Sequence, residues 1–228
     1  MAKFNQQKFN QFILENNVIG FFEEPIILKS GRLSFWYVNW RNVAQDVFLL
    51  DKLTDLVINF VEDLNLKPDC FYGVPEGATK LGILTQYKWA KKSSNFGLAS
   101  HILPMGRGKP KDHGDLKDRF FVGMPRGETV ILEDVTTTGS SLLETIEKLK
   151  ITGVKIIAAI SLTNRMEKRD DGKSVKEAVE EKGIPYFQMS NALELLPMTH
   201  QKLKPKMEIA QRVEEEFQKY GVEKLKLL

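Results

Sequence analysis

In "VILEDVTTTGSS", Val130 to Ser141, two acids close an apolar run and are followed at once by small hydroxyl residues and a glycine. If Val130 to Leu132 form a central strand, Glu133 and Asp134 stand at its carboxyl end, and Val135 to Ser141 form a turn into the next helix. Backbone amides at a helix start point outward and carry about half a positive charge. Thr136, Thr137, Thr138 and Ser140 add hydroxyl donors small enough to let a phosphate come close, and Gly139 removes the side chain that would block it. Two carboxylates beside a phosphate would repel it, so Glu133 and Asp134 should face sugar hydroxyls, a Mg2+ hydration shell or a developing cation. The stretch therefore suits a phosphorylated sugar. It does not suit a nucleoside triphosphate in the usual manner, because no G-x-x-x-x-G-K-[ST] loop occurs. The plain alternative is a capped helix start with incidental acids, but two adjacent acids ending an apolar strand are costly without a purpose.

A second stretch, "MGRGKPKDHGDLKDRFFVG" from Met105 to Gly123, packs Arg107, Lys109, Lys111 and His113 around glycines. It is too polar and too flexible for a core element. On charge alone it reads as a solvated basic loop. Beside a phosphorylated-sugar site, a mobile cationic loop could close, exclude water and neutralise an anionic leaving group. "YGVPEGATKLG", residues 72 to 82, has the glycines of another close approach between backbone and ligand. His101, His200 and Cys70 form no metal-ligand or nucleophile cluster at a recognised spacing. Trp36 and Trp40 could stack on a base or pack in a core.

These residues must be held by a fold, and the composition bounds it. The 228 residues, 42% of them hydrophobic, suffice for one sizeable core and favour a single domain. The charge of +3 arises from 33 basic and 30 acidic residues spread along the chain, so no basic tail announces nucleic-acid binding. The single cysteine excludes an internal disulfide framework and fits a reducing compartment, with the cytoplasm as default. The N-terminus, "MAKFNQQKFNQF", is too polar for a signal peptide. The longest apolar run, "IIAAISL", falls far short of the roughly 20 residues that span a bilayer, so no membrane partner is expected.

The hydrophobic period alternates along the chain. Phe9, Phe12 and Ile13 predict a helix within residues 4 to 17, and "EPIILKSGRLSFWYVNWR" predicts a hairpin around its Ser-Gly turn. Leu49, Leu53, Leu56, Phe60 and Leu64 mark one face of a helix. "DCFYGV" reads as a strand ending at Gly73, with a helix over about 79 to 91. "FGLASHIL" reads as the next strand, residues 105 to 118 as a glycine-rich loop, "TVILEDV" as a buried strand, and 139 to 150 as its helix. "GVKIIAAISLTNR" is another buried strand, followed by a helix near 174 to 181 and a short strand in "PYFQM". The order implies an α/β fold, an open, mostly parallel sheet with flanking helices, that binds ligands at the carboxyl ends of its strands. Ile209, Val213, Phe217 and Tyr220 form a last helical stripe, suited to packing on the body or on a second subunit.

"VILEDVTTTGSS" resembles the phosphoribosyl pyrophosphate (PRPP) signature of the type I phosphoribosyltransferases. By that resemblance the turn Val135 to Ser140, with Thr136, Thr137, Thr138, Gly139 and Ser140, would hold the ribose 5-phosphate. Glu133 and Asp134 would contact its 2- and 3-hydroxyls. Arg107 followed by Lys111, Asp112, His113 and Gly114 resembles the catalytic loop of orotate phosphoribosyltransferase, Arg-Lys-x-x-Lys-Asp-His-Gly. Gly108 stands where that pattern has a lysine, with Lys109 beside it. "ILKSGRLSFWYVN" is similar to the family's N-terminal segment, which makes Lys29 a substrate or pyrophosphate contact and puts Tyr37 in the aromatic strand flanking the pyrimidine. "SLTNRMEK" resembles the segment whose arginine, Arg165 here, grips the orotate carboxylate; a planar guanidinium suits a planar acid. Lys80 is the nearest match to the lysine of the family's pyrophosphate loop, although that loop more often has an aromatic and a lysine before its second glycine, unlike Glu76 and Thr79 here.

The resemblance implies a single domain over residues 1 to 228: a small N-terminal hood over 1 to 45, an α/β core over 46 to 200, and a C-terminal helix over 205 to 222. It implies transfer of a phosphoribosyl group from PRPP to orotate with Mg2+ bound through PRPP and water near Glu133 and Asp134. Lys111, His113 and Arg107 would neutralise the departing diphosphate. It also implies a homodimer in which the catalytic loop reaches the neighbour's site. A purine phosphoribosyltransferase would share the first motif, but has no reason to carry the Lys-Asp-His-Gly loop together with Lys29 and Arg165; a PRPP-sensing regulator would share the fold, but should carry a nucleic-acid surface, and the charge here is nearly balanced.

Overall fold

The computed structural model describes residues 3–228. Asn5 opens helix α1 (Gln6–Glu15) by accepting from the Lys8 amide, and the i, i+4 pair Phe9 and Ile13 is buried. Strands β1 (Ile19–Ile27) and β2 (Leu33–Val38) form the expected antiparallel hairpin, which begins earlier than the sequence suggests. Gly31, at φ +80°, supplies the left-handed residue that closes its turn. A short α2 (Arg41–Ala44) leads to α3 (Val47–Asp63), capped by Asp46. The core continues through β3 (Cys70–Gly73), α4 (Thr79–Lys92), β4 (Met105–Gly106), α5 (Leu116–Phe120), β5 (Phe121–Val122) and β6 (Glu128–Thr136). Then follow α6 (Ser140–Ile151), β7 (Lys155–Asn164), α7 (Val175–Glu180), β8 (Tyr186–Gln188), α8 (Ala192–Leu203) and α9 (Met207–Tyr220).

The main sheet has the order β3-β6-β7-β8, with every pairing parallel. Its central strand β6 is buried on both faces, which is why its sequence is a continuous apolar run rather than an alternation. Val130 and Leu132 face one apolar cluster, with α1, the hairpin, α3, α8 and α9. Ile131 faces the other, with Leu142, Ile146 and Leu149 of α6 and Val175 and Val179 of α7. That two-residue period clamps β6 from both sides, and the strand runs past the acids to Thr136, with Glu133 opposite Ser161 of β7, so Glu133 and Asp134 are held at a fixed place near its carboxyl end.

The hood shares the main core. Trp36 and Trp40 are both buried, and Trp40 Nε1 donates to Thr163 Oγ1 at 3.1 Å, so both indoles are packing residues and neither is a base platform. Trp36 stacks on Phe217 of α9 at 5.9 Å between ring centroids. With Ile209, Val213 and Phe217 buried, the C-terminal stripe packs on its own chain.

Two readings of the sequence need correction, and one helix was not read from it. "FGLASHIL" is not a strand: Ser100 and Gly97 hydrogen-bond each other in a local turn, Ala99 takes φ +60°, and Phe96, Leu98 and Leu103 stay exposed. Local side-chain bonding diverts the backbone from a ladder there, and only Met105–Gly106 pairs, with β5. On α3 the deepest residues are Leu50, Leu53, Val57 and Val61, while Leu49, Leu56, Phe60 and Leu64 flank them half-buried. The sequence also conceals α8, because Pro197 reads as a breaker; the Asn191 cap and buried Leu195 and Leu196 sustain the helix around it. Among the described residues no helix is long and apolar enough to cross a membrane.

Candidate active site

The end of β6 and the start of α6 make one pocket, of about 160 Å³, that opens under the hairpin turn. Thr137, Thr138, Gly139, Ser140 and Ser141 form one wall, Glu133 lies on the floor, and Lys29 and Ser30 reach down from the hood. Gly139 takes φ +68°, and a Cβ there would lie 2.9 Å from Val175 Cγ1, so both conformation and space require glycine. The amides of Thr138 and Gly139 have no hydrogen-bond partner among the described residues, and Thr138 Oγ1 and Ser140 Oγ lie 3.0 Å apart. This is a cradle of donors at a helix N-terminus. Thr136 is not part of it: its hydroxyl lies 2.8 Å from the phenol of Tyr186 and is buried beneath the loop.

The two acids differ. Glu133 is buried, and loss of solvent together with the adjacent Asp134 carboxylate holds its carboxyl well above the usual range, with Lys29 acting in the opposite direction. Asp134 is half-buried at the mouth, pressed against the β3–α4 loop: a Cβ on Gly77 would lie 2.4 Å from Asp134 Oδ2. Gly77 therefore exists to let that carboxylate stand where it does. Glu133 Oε1 accepts from the Asp134 amide at 3.3 Å, and a buried carboxyl with acceptor capacity to spare, set beside an anion cradle, fits sugar hydroxyls, which donate without adding charge.

Lys29, on the hairpin turn, donates to Ser141 Oγ at 2.8 Å and so bridges the hood to the first turn of α6. Arg165, expected at the acceptor, lies inside. Its Nε donates to Glu167 at 2.8 Å, Nη2 to Ser34 Oγ at 2.9 Å and Nη1 to the Trp36 carbonyl, with the guanidinium 3.6 Å over the Trp36 ring. Glu216 of α9 closes the same cluster, accepting from Ser34 Oγ and the Phe35 amide at 2.8 and 2.6 Å. Burial pulls Arg165 down from its ordinary value, and Glu167 opposes that. Tyr37, half-buried on β2, stands outside the pocket lining.

The loop cations lie apart. Arg107 donates through Nε to the Asp118 carbonyl, while Lys109, Lys111 and His113 are exposed, and none of the four lines the pocket. The loop is tied at its base by backbone bonds, from the Arg107 amide to the Phe120 carbonyl at 2.8 Å and from the Lys111 amide to the Arg119 carbonyl at 3.0 Å, and Gly108 lies against Glu76, for a Cβ there would fall 1.9 Å from Glu76 Oε1. The two departures from the family pattern, Glu76 and Gly108, are thus in contact, and the acid occupies space that a side chain at 108 would need. Lys80 is exposed on the first turn of α4, beyond that acid.

Sequence reasoning gave no role to Ser141 or to Arg169, whose Nη1 donates to the Thr138 carbonyl, and it read Gly77 as a close approach to ligand where the structure sets it against Asp134. Ser141 was legible as the next hydroxyl of the motif. Arg169 sits in "MEKRDDGKS", which reads as solvated surface, and only the fold brings it to the cradle.

No family model matches the chain. It is 32% identical over 178 residues to the orotate phosphoribosyltransferase of Bradyrhizobium diazoefficiens, covering 75% of this chain and 87% of that one. The crystal structure of orotate phosphoribosyltransferase from Francisella tularensis aligns with a TM-score of 0.66 at 24% identity, over 94% of this chain and 99% of that one. That of Mycobacterium tuberculosis H37Rv, in complex with PRPP, aligns with a TM-score of 0.57 at 16% identity, over 83% and 98%. The structural likenesses establish a type I phosphoribosyltransferase-like fold.

Proposed function

This chain belongs to the orotate phosphoribosyltransferase family, and on that footing we propose that PRPP, the donor, binds in the pocket between β6, α6 and the hairpin turn. The enzyme transfers the 5-phosphoribosyl group from PRPP to orotate, giving orotidine 5-monophosphate and diphosphate in pyrimidine synthesis. The observation that carries the placement is a buried carboxyl, Glu133, in the same pocket as a helix N-terminus whose Thr138 and Gly139 amides have no partner among the described residues. The 5-phosphate goes to Thr137, Thr138, Gly139, Ser140 and Ser141, and the ribose hydroxyls to Glu133 and Asp134.

Transfer breaks the bond between the anomeric carbon and the diphosphate oxygen, which leaves with the electron pair while positive charge builds on the sugar ring. A ring nitrogen of orotate then supplies the pair for the new carbon–nitrogen bond, and no covalent nucleophile on the protein is needed. Glu133 and Asp134 hold the sugar and favour the developing cation. Lys29, Lys80, Arg107, Lys109, Lys111 and His113 are assigned to the departing diphosphate, with Lys29 at the junction of donor and acceptor. Tyr37 flanks the pyrimidine. Arg165 is assigned a positioning role, fixing Trp36 and Ser34 of the hairpin that carries Tyr37, because its guanidinium is already occupied. The hard carboxylate oxygens of Asp134 and Glu133 suit a hydrated Mg2+ held mainly by donor phosphates. When bound, that ion supplies charge neutralisation at the diphosphate.

We further propose a homodimer. Two observations support it: the loop cations stand away from this chain's pocket, and Phe96, Leu98 and Leu103 are exposed beside the base of the loop. Mixing Lys111→Ala with a Glu133/Asp134 double alanine variant should restore activity through hybrid dimers; inactive mixtures of exchanging subunits would argue for self-contained sites. Acceptor identity is tested by following orotate consumption beside hypoxanthine, adenine and uracil, and turnover of a purine alone would reject the assignment.

A further inference from the structure

Residues 169 to 174, the later part of the segment between β7 and α7, lie outside the motifs that carry the family resemblance, yet they touch both the phosphate loop and the hairpin turn. Arg169 donates from Nη1 to the Thr138 carbonyl, and its Nε lies 3.3 Å from Asp171 Oδ2. The side chain is 21% exposed. The arginine is held by a tight turn, with its amide donating to the Lys173 carbonyl at 2.8 Å and its carbonyl accepting from Gly172 at 3.0 Å. The next residue, Asp170, pairs with Arg32 of the hairpin turn at 2.9 Å. Two consecutive side chains thus secure the phosphate loop and the hood from one point.

We propose that Arg169 is a positioning residue for the 5-phosphate: by holding the Thr138 carbonyl on the outer side of the loop, it aims the Gly139 amide into the cradle. In a planar trans peptide the C=O and the following N–H point in opposite directions. A guanidinium on the carbonyl therefore fixes where the Gly139 N–H points. It also polarises that peptide, which strengthens the N–H as a donor to an anion. Val175 of α7 presses on Gly139 and restricts the loop further. A lysine would reproduce the charge but not the planar fork that serves Thr138 and Asp171 together. The inference rests on the 5-phosphate assignment made above.

The test is calorimetric titration of wild type and Arg169→Ala with ribose 5-phosphate and, separately, with diphosphate, followed by steady-state kinetics. Ribose 5-phosphate affinity should fall on the order of tenfold, as for loss of one well-aimed hydrogen bond to a charged group. Diphosphate affinity and the orotate KM should hold, the PRPP KM should rise, and kcat should move less than twofold. Arg169→Lys should recover part of the loss, and it tests the idea again should the alanine variant prove poorly folded. Unchanged ribose 5-phosphate affinity in either folded variant overturns the proposal, as does an equal loss for both ligands, which marks general loosening. Failure of the wild type to bind ribose 5-phosphate overturns the site assignment itself, a result distinct from a wild type that binds and a variant that binds equally well.

Discussion

Gly77→Ala isolates one carboxylate. The new methyl would sit 2.4 Å from Asp134 Oδ2 and 2.6 Å from both Oδ1 and Cγ, well inside the contact distance of about 3.5 Å. Gly77 does not occupy the left-handed region, so its backbone accepts a side chain and the collision falls on a single short neighbour. Asp134 relieves it by turning off its rotamer, at about 0.5–1.5 kcal/mol. For a chain of this size that lowers Tm by roughly 1–6 °C, at about 2–4 °C per kcal/mol. The functional loss is larger. A turned carboxylate forfeits its hydrogen bond to a ribose hydroxyl, about 1.5–3 kcal/mol for a charged acceptor, and at about 1.36 kcal/mol per decade this is roughly 10- to 150-fold in kcat/KM for PRPP. The assay is initial velocity against PRPP at saturating orotate, paired with thermal melts. Gly20→Ala serves as the control, since a Cβ there meets nothing within 4 Å. A folded Gly77→Ala enzyme with unchanged kcat/KM for PRPP would refute the reasoning, for Asp134 would then not touch the sugar. A Tm drop beyond about 10 °C would refute it differently, by showing that the backbone bears the clash.

Glu133→Gln should be more stable than wild type at neutral pH. A carboxyl held above its ordinary value favours folding only while protonated, so that advantage is complete below about pH 4.5 and is lost as pH rises through the raised value. Melts from pH 4 to pH 8 should show the variant's lead opening with pH while donor affinity falls; a wild type that gains on the variant at higher pH would contradict this. Arg165→Met should cost about 3–5 kcal/mol, because Glu167 keeps a buried charge with one cation removed. An ordinary Tm with only the orotate KM raised would return Arg165 to the acceptor. Lys111→Ala, at an exposed loop position, should leave Tm nearly unchanged and lower kcat by about a hundredfold, as for loss of one preorganised charge donor. An altered Tm with kcat preserved would make that loop structural.

Local signals were legible wherever short-range physics sets the outcome. The continuous apolar run of β6, the α6 start after Gly139 and the hairpin about Gly31 were all readable from period and turn chemistry. The acids at 133 and 134 were readable as a site because an apolar strand has no structural use for them. "FGLASHIL" and α8 were not, since side-chain bonding around Ser100 diverted one and burial of Leu195 and Leu196 overrode Pro197 in the other. The order of residues by itself thus determined the strand–acid–glycine–helix unit, and with it the chemistry of a phosphorylated sugar, because those contacts lie within a dozen positions. Tertiary structure alone decided what each cation does. Arg165 meets Ser34 across 131 positions and Arg169 meets Thr138 across 31. A charge becomes a ligand contact, a buried pair or a loop clamp according to which distant carbonyl or carboxylate the fold sets beside it.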